Sequence, residues 1–381
     1  MNPLQKLHGL GQSIWIDFIR RDLMTTGKLA KLIREDSVSG MTSNPKMFQD
    51  AIAGSDHYDD AIRDLRKAGS TVEEAYEALT VEDVRMAADR FREVFARTGG
   101  IDGYVSYEVS PRLAHNTEGT IEEARRLWKR VDRPNIFIKV PGTLAGLPAI
   151  RQLIREGINV NITLLFGLPR YREVAEAYMT GLEERAGEGK PLDHVTSVAS
   201  FFLSRIDLLV DPLLEGTIAE GGDRGQLTGR LRGKTAIASA RLAYQMYKEI
   251  FSGDRFSRLS EKGARPQRLL WASTSAKNPD DSDVKYVEAL IGPDTVNTMP
   301  METLEAYRDH GDPRLTLEEN LDEAREVFDG LARLGIEVDQ VTQQLEDEGV
   351  EKFVKPYDSL LDTLRNALAP DRQAVGRQSQ A

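Results

Sequence analysis

Short apolar segments with the composition of β-strands recur along the chain, and amphipathic segments separate them. Several are nearly continuous apolar runs broken by one polar residue, which is typical of parallel strands that are buried on both faces. The eight candidate strands are SIWIDFI (13–19), SGMTSN (39–44), GYVSYEV (103–109), NIFIKVP (135–141), NVNITLLF (159–166), HVTSVASF (194–201), RLLWAST (268–274) and DTVNTMP (294–300). This pattern predicts a parallel sheet.

The segments between the candidate strands have apolar residues at helical spacing. A clear example is TVEEAYEALTVEDVRMAADRFREVFART, which spans 71–98. In TEGTIEEARRLWKRV, Thr120 precedes Glu123 by three residues, and this arrangement predicts a capping box. Eight alternating strand and helix units predict a (β/α)8 TIM barrel with additional helices, and a doubly wound open sheet is the alternative.

The chain is longer than a minimal barrel, which needs about 250 residues. We predict one domain over residues 1–381, with the barrel at about 13–312, further helices at about 315–368 and a frayed tail at 370–381. The rest of the excess length lies in a helical insertion between the second and third strands and in a loop at 216–233.

Composition excludes several classes of function. Fifty Lys and Arg residues against 61 Asp and Glu residues give a net charge of -11, so nothing indicates nucleic-acid binding. The absence of cysteine excludes disulfides, thiolate metal sites and cysteine nucleophiles, and the five histidines form no metal-type cluster. No apolar run of roughly 18 residues predicts a membrane span. Without a signal-peptide pattern at the start, a cytoplasmic location is expected.

Polar residues whose side chains could take part in catalysis or binding fall within the candidate strands or at their carboxyl ends. The set comprises Asp17, Asn44, Glu108, Lys139, Asn161, Thr163, Ser200, Ser273 and Thr274. In a barrel these ends converge on one face, where active sites lie. Each residue also has a structural interpretation, but joint burial of so many polar groups would be costly without a shared purpose.

Lys139 is the most informative member because Ile136, Phe137, Ile138 and Val140 surround it. Its stem could pack inside the barrel while the ammonium group reaches water. Alternatively, burial could keep the amine uncharged so that it attacks a carbonyl.

The other polar residues can likewise be interpreted as structural or as catalytic. Asp17 could cap the next helix, Asn44 could start the turn before Pro45, and Glu108 could pair with Arg112. A buried lysine beside carboxylates is also the set of groups that a Schiff-base enzyme needs. Asn and Ser side chains could then hold substrate hydroxyls.

Two cations are placed to bind a phosphate. Arg205 follows Ser200 by five residues, and Lys277 comes after the seventh candidate strand. Both could instead be solvated loop cations.

Seven blocks of the sequence, in order from residue 13 to about 310, resemble those of transaldolases. They are GMTSNP, DGYVSYEVSPRLAHNTEGTI, IFIKVPGTLAGLPAI, GINVNITLLF, VASFFLSRID, LLWASTSAKNP and VNTMPMETL. The resemblance implies a class I aldolase-type barrel without metal or cofactor. Such enzymes move a dihydroxyacetone unit from sedoheptulose 7-phosphate to glyceraldehyde 3-phosphate, giving erythrose 4-phosphate and fructose 6-phosphate in the non-oxidative pentose phosphate pathway.

The resemblance also implies a role for each matching residue. Lys139 resembles the Schiff-base lysine, Asp17 the acid/base on the C4 hydroxyl, and Glu108 with Thr163 the pair that holds a catalytic water. The positions that match the dihydroxyacetone-binding residues are Asn44, Asn161 and Ser200. Arg205 matches a phosphate-binding arginine.

The chain departs from the pattern after its seventh strand. Shorter transaldolases have an arginine there, whereas this chain continues ASTSAKNP, so Ser273 and Lys277 are the expected substitutes. An aldolase that releases dihydroxyacetone to water, an inactive sugar-phosphate-binding barrel and an enzyme acting on cyclitol phosphates remain alternatives. A monomer or homodimer is expected, with sugar phosphates as partners.

Overall fold

The computed structural model describes residues 1–218 and 222–369. Within them, eight parallel strands close into a barrel in the order β1-β2-β3-β4-β5-β6-β7-β8. The strands are β1 (Gln12–Asp17), β2 (Val38–Thr42), β3 (Tyr104–Glu108), β4 (Ile136–Pro141), β5 (Val160–Leu165), β6 (Ser197–Phe202), β7 (Arg268–Ala272) and β8 (Thr295–Met299). The (β/α)8 prediction is confirmed. The open-sheet alternative is wrong, because β1 also pairs with β8.

Helices surround the barrel and extend the chain beyond β8. Within the described residues they are α1 (Pro3–Gly9), α2 (Arg21–Thr25), α3 (Lys28–Asp36), α4 (Pro45–Ala53), α5 (Asp59–Lys67), α6 (Val72–Arg90), α7 (Arg92–Arg97), α8 (Thr117–Val131), α9 (Gly146–Glu156), α10 (Leu168–Gly187), α11 (Ser204–Ile218), α12 (Gly222–Leu231), α13 (Thr235–Ser252), α14 (Asp254–Ser260), α15 (Lys285–Glu288), α16 (Met301–His310), α17 (Leu321–Arg333) and α18 (Val338–Leu368). Short 3-10 helices cover Asp56–Tyr58 and Pro111–Leu113. No described helix is long and apolar enough to cross a membrane.

The barrel core is dense because nearly every strand residue is buried. This burial on both faces accounts for the continuous apolar runs in the sequence. On β2, Gly40 leaves room for the Trp15 indole of β1, since a Cβ at Gly40 would lie 2.4 Å from a ring carbon. Close packing at this point therefore requires glycine.

Two local predictions are wrong. Thr120 does not cap α8; Asn116 does so by accepting a hydrogen bond from the Gly119 amide, while Thr120 lies within the helix and donates to the Leu113 carbonyl of the preceding 3-10 helix. The predicted loop at 216–233 contains α12, a helix that the glycines of that segment obscure. Residues 219–221 of that segment and the predicted tail at 370–381 lie outside the described residues.

Candidate active site

Most of the polar residues singled out in the sequence lie towards the carboxyl ends of the strands or just beyond them, whereas Asn161 is the second residue of its strand. Asp17 and Glu108 are the last residues of β1 and β3, and Lys139 lies near the end of β4. The others are Asn161 and Thr163 in β5, Ser200 in β6, and Asn44, Arg205, Ser273 and Lys277 shortly after β2, β6 and β7. In a barrel this is the face that carries chemistry.

Lys139 keeps its amine inside the protein. Its side chain is only 5% exposed, so the ammonium does not reach water at the strand end as the packing interpretation requires. Nζ donates a hydrogen bond to the Ser43 carbonyl at 3.2 Å and lies 3.2 Å from Glu108 Oε2. The amine is therefore enclosed beside one carboxylate.

Glu108 is buried as deeply as its partner, with a side chain that is 3% exposed. Burial raises the pKa of Glu108 to about 7, although the nearby Lys139 charge lowers it in part. Neither carboxylate oxygen has a hydrogen-bond partner of regular geometry among the described residues, despite the short distance to Lys139. Glu108 can thus exchange a proton near neutral pH and has acceptor capacity left for water.

Thr163 is a second residue of the site with a buried polar atom that lacks a partner among the described residues. Its Oγ1 forms no hydrogen bond within the described part of the chain. The backbone is irregular here, because the β5–β6 register shifts between Ile162 and Leu165 and Leu164 has a φ of 60°. Leucine seldom adopts this left-handed conformation, and such strain is often found at functional sites.

Asn161 is held by hydrogen bonds from two strands. Its Nδ2 donates to Ser106 Oγ at 2.9 Å, and its Oδ1 accepts from Ser200 Oγ at 2.7 Å. All three residues are buried. The chain Ser106–Asn161–Ser200 therefore fixes which end of the amide points to which neighbour, and it joins two of the predicted substrate-binding residues.

Asp17 lies partly buried at the end of β1. Its Oδ1 accepts a hydrogen bond from Thr42 Oγ1 at 2.5 Å, and Thr42 in turn contacts Thr298 Oγ1 at 2.7 Å. Burial raises the pKa of Asp17, while the Lys139 charge and the Thr42 hydrogen bond counteract this rise. The helix-capping interpretation is wrong, since Arg20 occupies the N-cap of α2.

Arg205 stands in the first turn of α11, close enough to Asp17 and Glu108 for their charges to act on it. Burial lowers its pKa, and those two carboxylates partly oppose the shift. Its Cζ lies 5.5 Å from the centroid of the Phe202 ring. Nη1 is buried without a hydrogen-bond partner among the described residues, which leaves it available for a ligand anion.

Asn44 has a structural role, but as a helix cap rather than as the start of a turn before Pro45. It is the N-cap of α4, and its side-chain oxygen accepts from the Met47 amide at 3.0 Å. This bond leaves the amide nitrogen for other contacts. Asn44 also follows Ser43, whose carbonyl accepts from Lys139.

Ser273 and Lys277 are placed differently from each other. Ser273 Oγ lies 3.1 Å from Ser204 Oγ, which joins the end of β7 to the start of α11 just before Arg205. Ser273 has a φ of 58°, so its backbone is also in the left-handed region. Lys277 is exposed and donates to Ser275 Oγ at 2.6 Å.

The alternative pairing of Glu108 with Arg112 is wrong, because Arg112 pairs with Asp358 of α18. Several neighbours of the site were not predicted from the sequence: Ser106, Thr42, Thr298 and Phe353. Ser106 could have been predicted as a neighbour of the site, because it lies two residues before Glu108 and therefore on the same face of β3. Phe353 carried no such signal, as it comes from α18 far along the chain, yet its ring centroid lies 5.7 Å from Lys139 Nζ.

The described residues contain no group of three or more His, Asp or Glu side chains that could hold a metal ion. The geometry instead unites one amine, two carboxylates with raised pKa values, and a set of amide and hydroxyl groups. This arrangement can form an imine with a ketone and move protons around it.

Comparison with known proteins gives a consistent result. The family described as Transaldolase/Fructose-6-phosphate aldolase matches residues 14–364. A transaldolase of Thiobacillus denitrificans is 51% identical over 361 residues, covering 95% of this chain and 99% of the relative. One of Acidothermus cellulolyticus is 50% identical over 377 residues, covering 99% and 100%. One of Frankia alni is 49% identical over 368 residues, covering 96% and 98%.

These matches confirm the resemblance that the seven sequence blocks indicated. They extend it over the helices that follow β8, since the family match ends inside α18. The chain belongs to the transaldolase/fructose-6-phosphate aldolase family.

Proposed function

We propose that this chain is a transaldolase that transfers a dihydroxyacetone unit from sedoheptulose 7-phosphate to glyceraldehyde 3-phosphate through an imine on Lys139. The observation that carries the proposal is the enclosed amine of Lys139, 3.2 Å from Glu108 at the catalytic face of a closed barrel. Family membership supplies the reaction, and the geometry supports a role for each residue.

Imine formation comes first. The neutral Lys139 amine attacks C2 of the ketose, and the carbonyl oxygen leaves as water after it is protonated. Glu108 and Thr163 hold the water that relays these protons, which accounts for the lack of hydrogen-bond partners for their oxygen atoms among the described residues. The product is a protonated imine that can accept an electron pair.

Cleavage follows at the C3–C4 bond. The Asp17 carboxylate takes the proton from the C4 hydroxyl, the bond breaks, and its electron pair moves into the imine to give an enamine. Erythrose 4-phosphate then leaves. The Thr42 hydrogen bond to Asp17 Oδ1 fixes the carboxylate that performs this step.

Transfer reverses these events with a new acceptor. The enamine carbon attacks the aldehyde of glyceraldehyde 3-phosphate, Asp17 returns the proton to the new hydroxyl, and water hydrolyses the imine to release fructose 6-phosphate. Asn161, Ser200 and Asn44 bind hydroxyls of the dihydroxyacetone unit. Arg205 binds the phosphate, with Ser273 and Lys277 as further contacts.

A transfer assay tests the proposal and separates it from simple aldol cleavage. Fructose 6-phosphate and erythrose 4-phosphate should give sedoheptulose 7-phosphate and glyceraldehyde 3-phosphate, with little free dihydroxyacetone when the acceptor is omitted. Lys139→Ala should abolish the products, whereas Lys46→Ala, which changes an exposed lysine paired with Asp50, should not. Steady release of dihydroxyacetone without acceptor would instead identify an aldolase.

A further inference from the structure

The C-terminal helix α18 places one aromatic side chain against the two cationic groups of the site. Phe353 is 5% exposed. Its ring centroid lies 5.7 Å from Lys139 Nζ and 5.7 Å from Arg205 Cζ. Both separations fall within the range in which an aromatic face attracts a cation.

Contacts on both sides of Phe353 hold this part of α18 on the barrel. On one side Glu346 pairs with Arg170 at 3.0 Å, and on the other Asp358 pairs with Arg112 at 2.8 Å. Tyr357 packs edge-on against Tyr76 of α6, with ring centroids 5.2 Å apart. The part of α18 that carries Phe353 therefore contacts α10, α6 and the 3-10 helix after β3, and these contacts position the ring.

Gly349, one turn before Phe353, permits a close approach to β5. A Cβ at this position would lie 3.1 Å from Leu164 Cδ2, tighter than most such contacts. Leu164 is the residue with left-handed backbone next to Thr163. Thus α18 packs directly on the irregular segment that carries one of the proposed catalytic residues.

The position of the ring suits the charges that arise during the reaction. In the proposed mechanism Lys139 Nζ becomes a protonated imine, so positive charge develops where the ring can attract it. Arg205 has the Phe202 ring at 5.5 Å as well, and its guanidinium therefore contacts two aromatic rings, while Nη1 has no hydrogen-bond partner in the part of the chain that the structure describes. The same buried apolar ring limits the access of further water to the imine, beyond the molecule that Glu108 and Thr163 hold in the proposed mechanism.

We infer that Phe353 is a specificity-determining residue, which shields the Lys139 intermediate from water so that transfer prevails over release, and which positions Arg205 for the acceptor phosphate. This inference rests on the proposed function. In the competing release, the enamine carbon is protonated and water adds to the imine carbon. The carbon–nitrogen bond then breaks, giving free dihydroxyacetone and the free amine.

The test uses the full-length chain with Phe353→Leu, which keeps apolar bulk but removes the ring. Phe256→Leu is the matched control, because Phe256 is 3% exposed and packs on Phe251 at 4.9 Å, on the outer helix α14. Three quantities are measured: the borohydride-trapped adduct on Lys139, the ratio of transfer product to free dihydroxyacetone, and KM for glyceraldehyde 3-phosphate and for unphosphorylated glyceraldehyde.

We expect Phe353→Leu to form the trapped adduct while the transfer-to-release ratio falls about three- to tenfold, the size of one cation–π contact. KM should rise by a similar factor for glyceraldehyde 3-phosphate and by less than about twofold for glyceraldehyde. Unchanged ratios in Phe353→Leu, or equal changes in Phe256→Leu, would overturn the inference. Failure of the wild-type protein to form the adduct would overturn the proposed function itself.

Discussion

Glu108 and Lys139 face each other in register on the neighbouring strands β3 and β4, and Glu108 Oε2 lies 3.2 Å from Lys139 Nζ. Parallel pairing puts both residues at the same level of the barrel, near the end where strands terminate. The contact is close, but it does not give Glu108 a hydrogen bond of regular geometry within the described residues. This leaves the carboxylate free to bind water and to exchange protons with the amine.

The pH dependence of turnover should report Glu108. Because burial raises its pKa to about 7, the carboxylate form needed to accept a proton is lost as the pH falls through that value. We therefore expect kcat to decrease on the acidic side of neutrality. Glu108→Gln should remove this acidic limb and lower kcat by about 10²-fold or more.

A kcat–pH profile of both proteins on either side of neutrality provides the measurement. Glu123→Gln is the control, since burial also raises the pKa of Glu123, which lies on α8 and accepts from the Ser110 amide. An acidic limb that persists unchanged in Glu108→Gln would assign the titration to another group.

Replacing Asp17 by asparagine should separate imine formation from cleavage. The amide keeps the shape of the carboxylate but cannot take the C4 proton, so kcat should fall by about 10²- to 10⁴-fold. The donor ketose, sedoheptulose 7-phosphate, should still form the imine with Lys139. Borohydride reduction followed by mass spectrometry should then show the uncleaved seven-carbon sugar phosphate on the protein. A variant with kcat close to that of the wild type would remove Asp17 from this role.

Phosphate recognition should depend on the shape of Arg205 as well as its charge. Arg205→Lys keeps the cation but loses the planar pair of donors, so KM for glyceraldehyde 3-phosphate should rise about tenfold. KM for unphosphorylated glyceraldehyde should change by less than about twofold. Lys277→Gln should have a smaller effect, because that ammonium is exposed and solvated. Equal changes for both acceptors in Arg205→Lys would contradict phosphate binding.

At the opposite end of the barrel, Asp102 should matter for stability alone. Its buried carboxylate accepts from Ser13 Oγ at 2.5 Å and from Trp15 Nε1 at 3.0 Å, and it pairs with Arg268 at 3.1 Å. Asp102→Ala should lower the free energy of unfolding by about 3 kcal/mol, because it removes the carboxylate that pairs with the partly buried Arg268 and that accepts from Ser13 and Trp15. Urea unfolding measures this loss. A marked fall in kcat with an unchanged free energy of unfolding would contradict a purely structural role for Asp102.

The strands and the positions of most candidate site residues could be predicted from local sequence, but the contacts across the barrel mouth could not. Apolar runs revealed all eight strands because parallel barrel strands are buried on both faces. Lys139 and Glu108 stood out as charges inside such runs. Phe353 is one apolar residue among many on an amphipathic helix, and only the packing of α18 brings it to Lys139. The left-handed backbone of Leu164 could not be predicted either, since leucine seldom adopts this conformation.

Hydroxyl partners form a middle case. Thr42 and Ser106 lie in strands that the sequence predicted, and each follows an apolar residue that points to the other face of its strand. Their roles depend on how the strands are arranged: Thr42 meets Asp17 across the neighbouring strands β1 and β2, while Ser106 of β3 meets Asn161 of β5, with β4 between them. The order of strands in the closed barrel supplies this information.

Reductive trapping at Lys139 tests the central claim most directly. The protein is incubated with fructose 6-phosphate, reduced with borohydride, digested and mapped by mass spectrometry. We expect one dihydroxyacetone-derived adduct, on the peptide that contains Lys139, and none in Lys139→Ala. An adduct on a different lysine, or one that persists in Lys139→Ala, would contradict it.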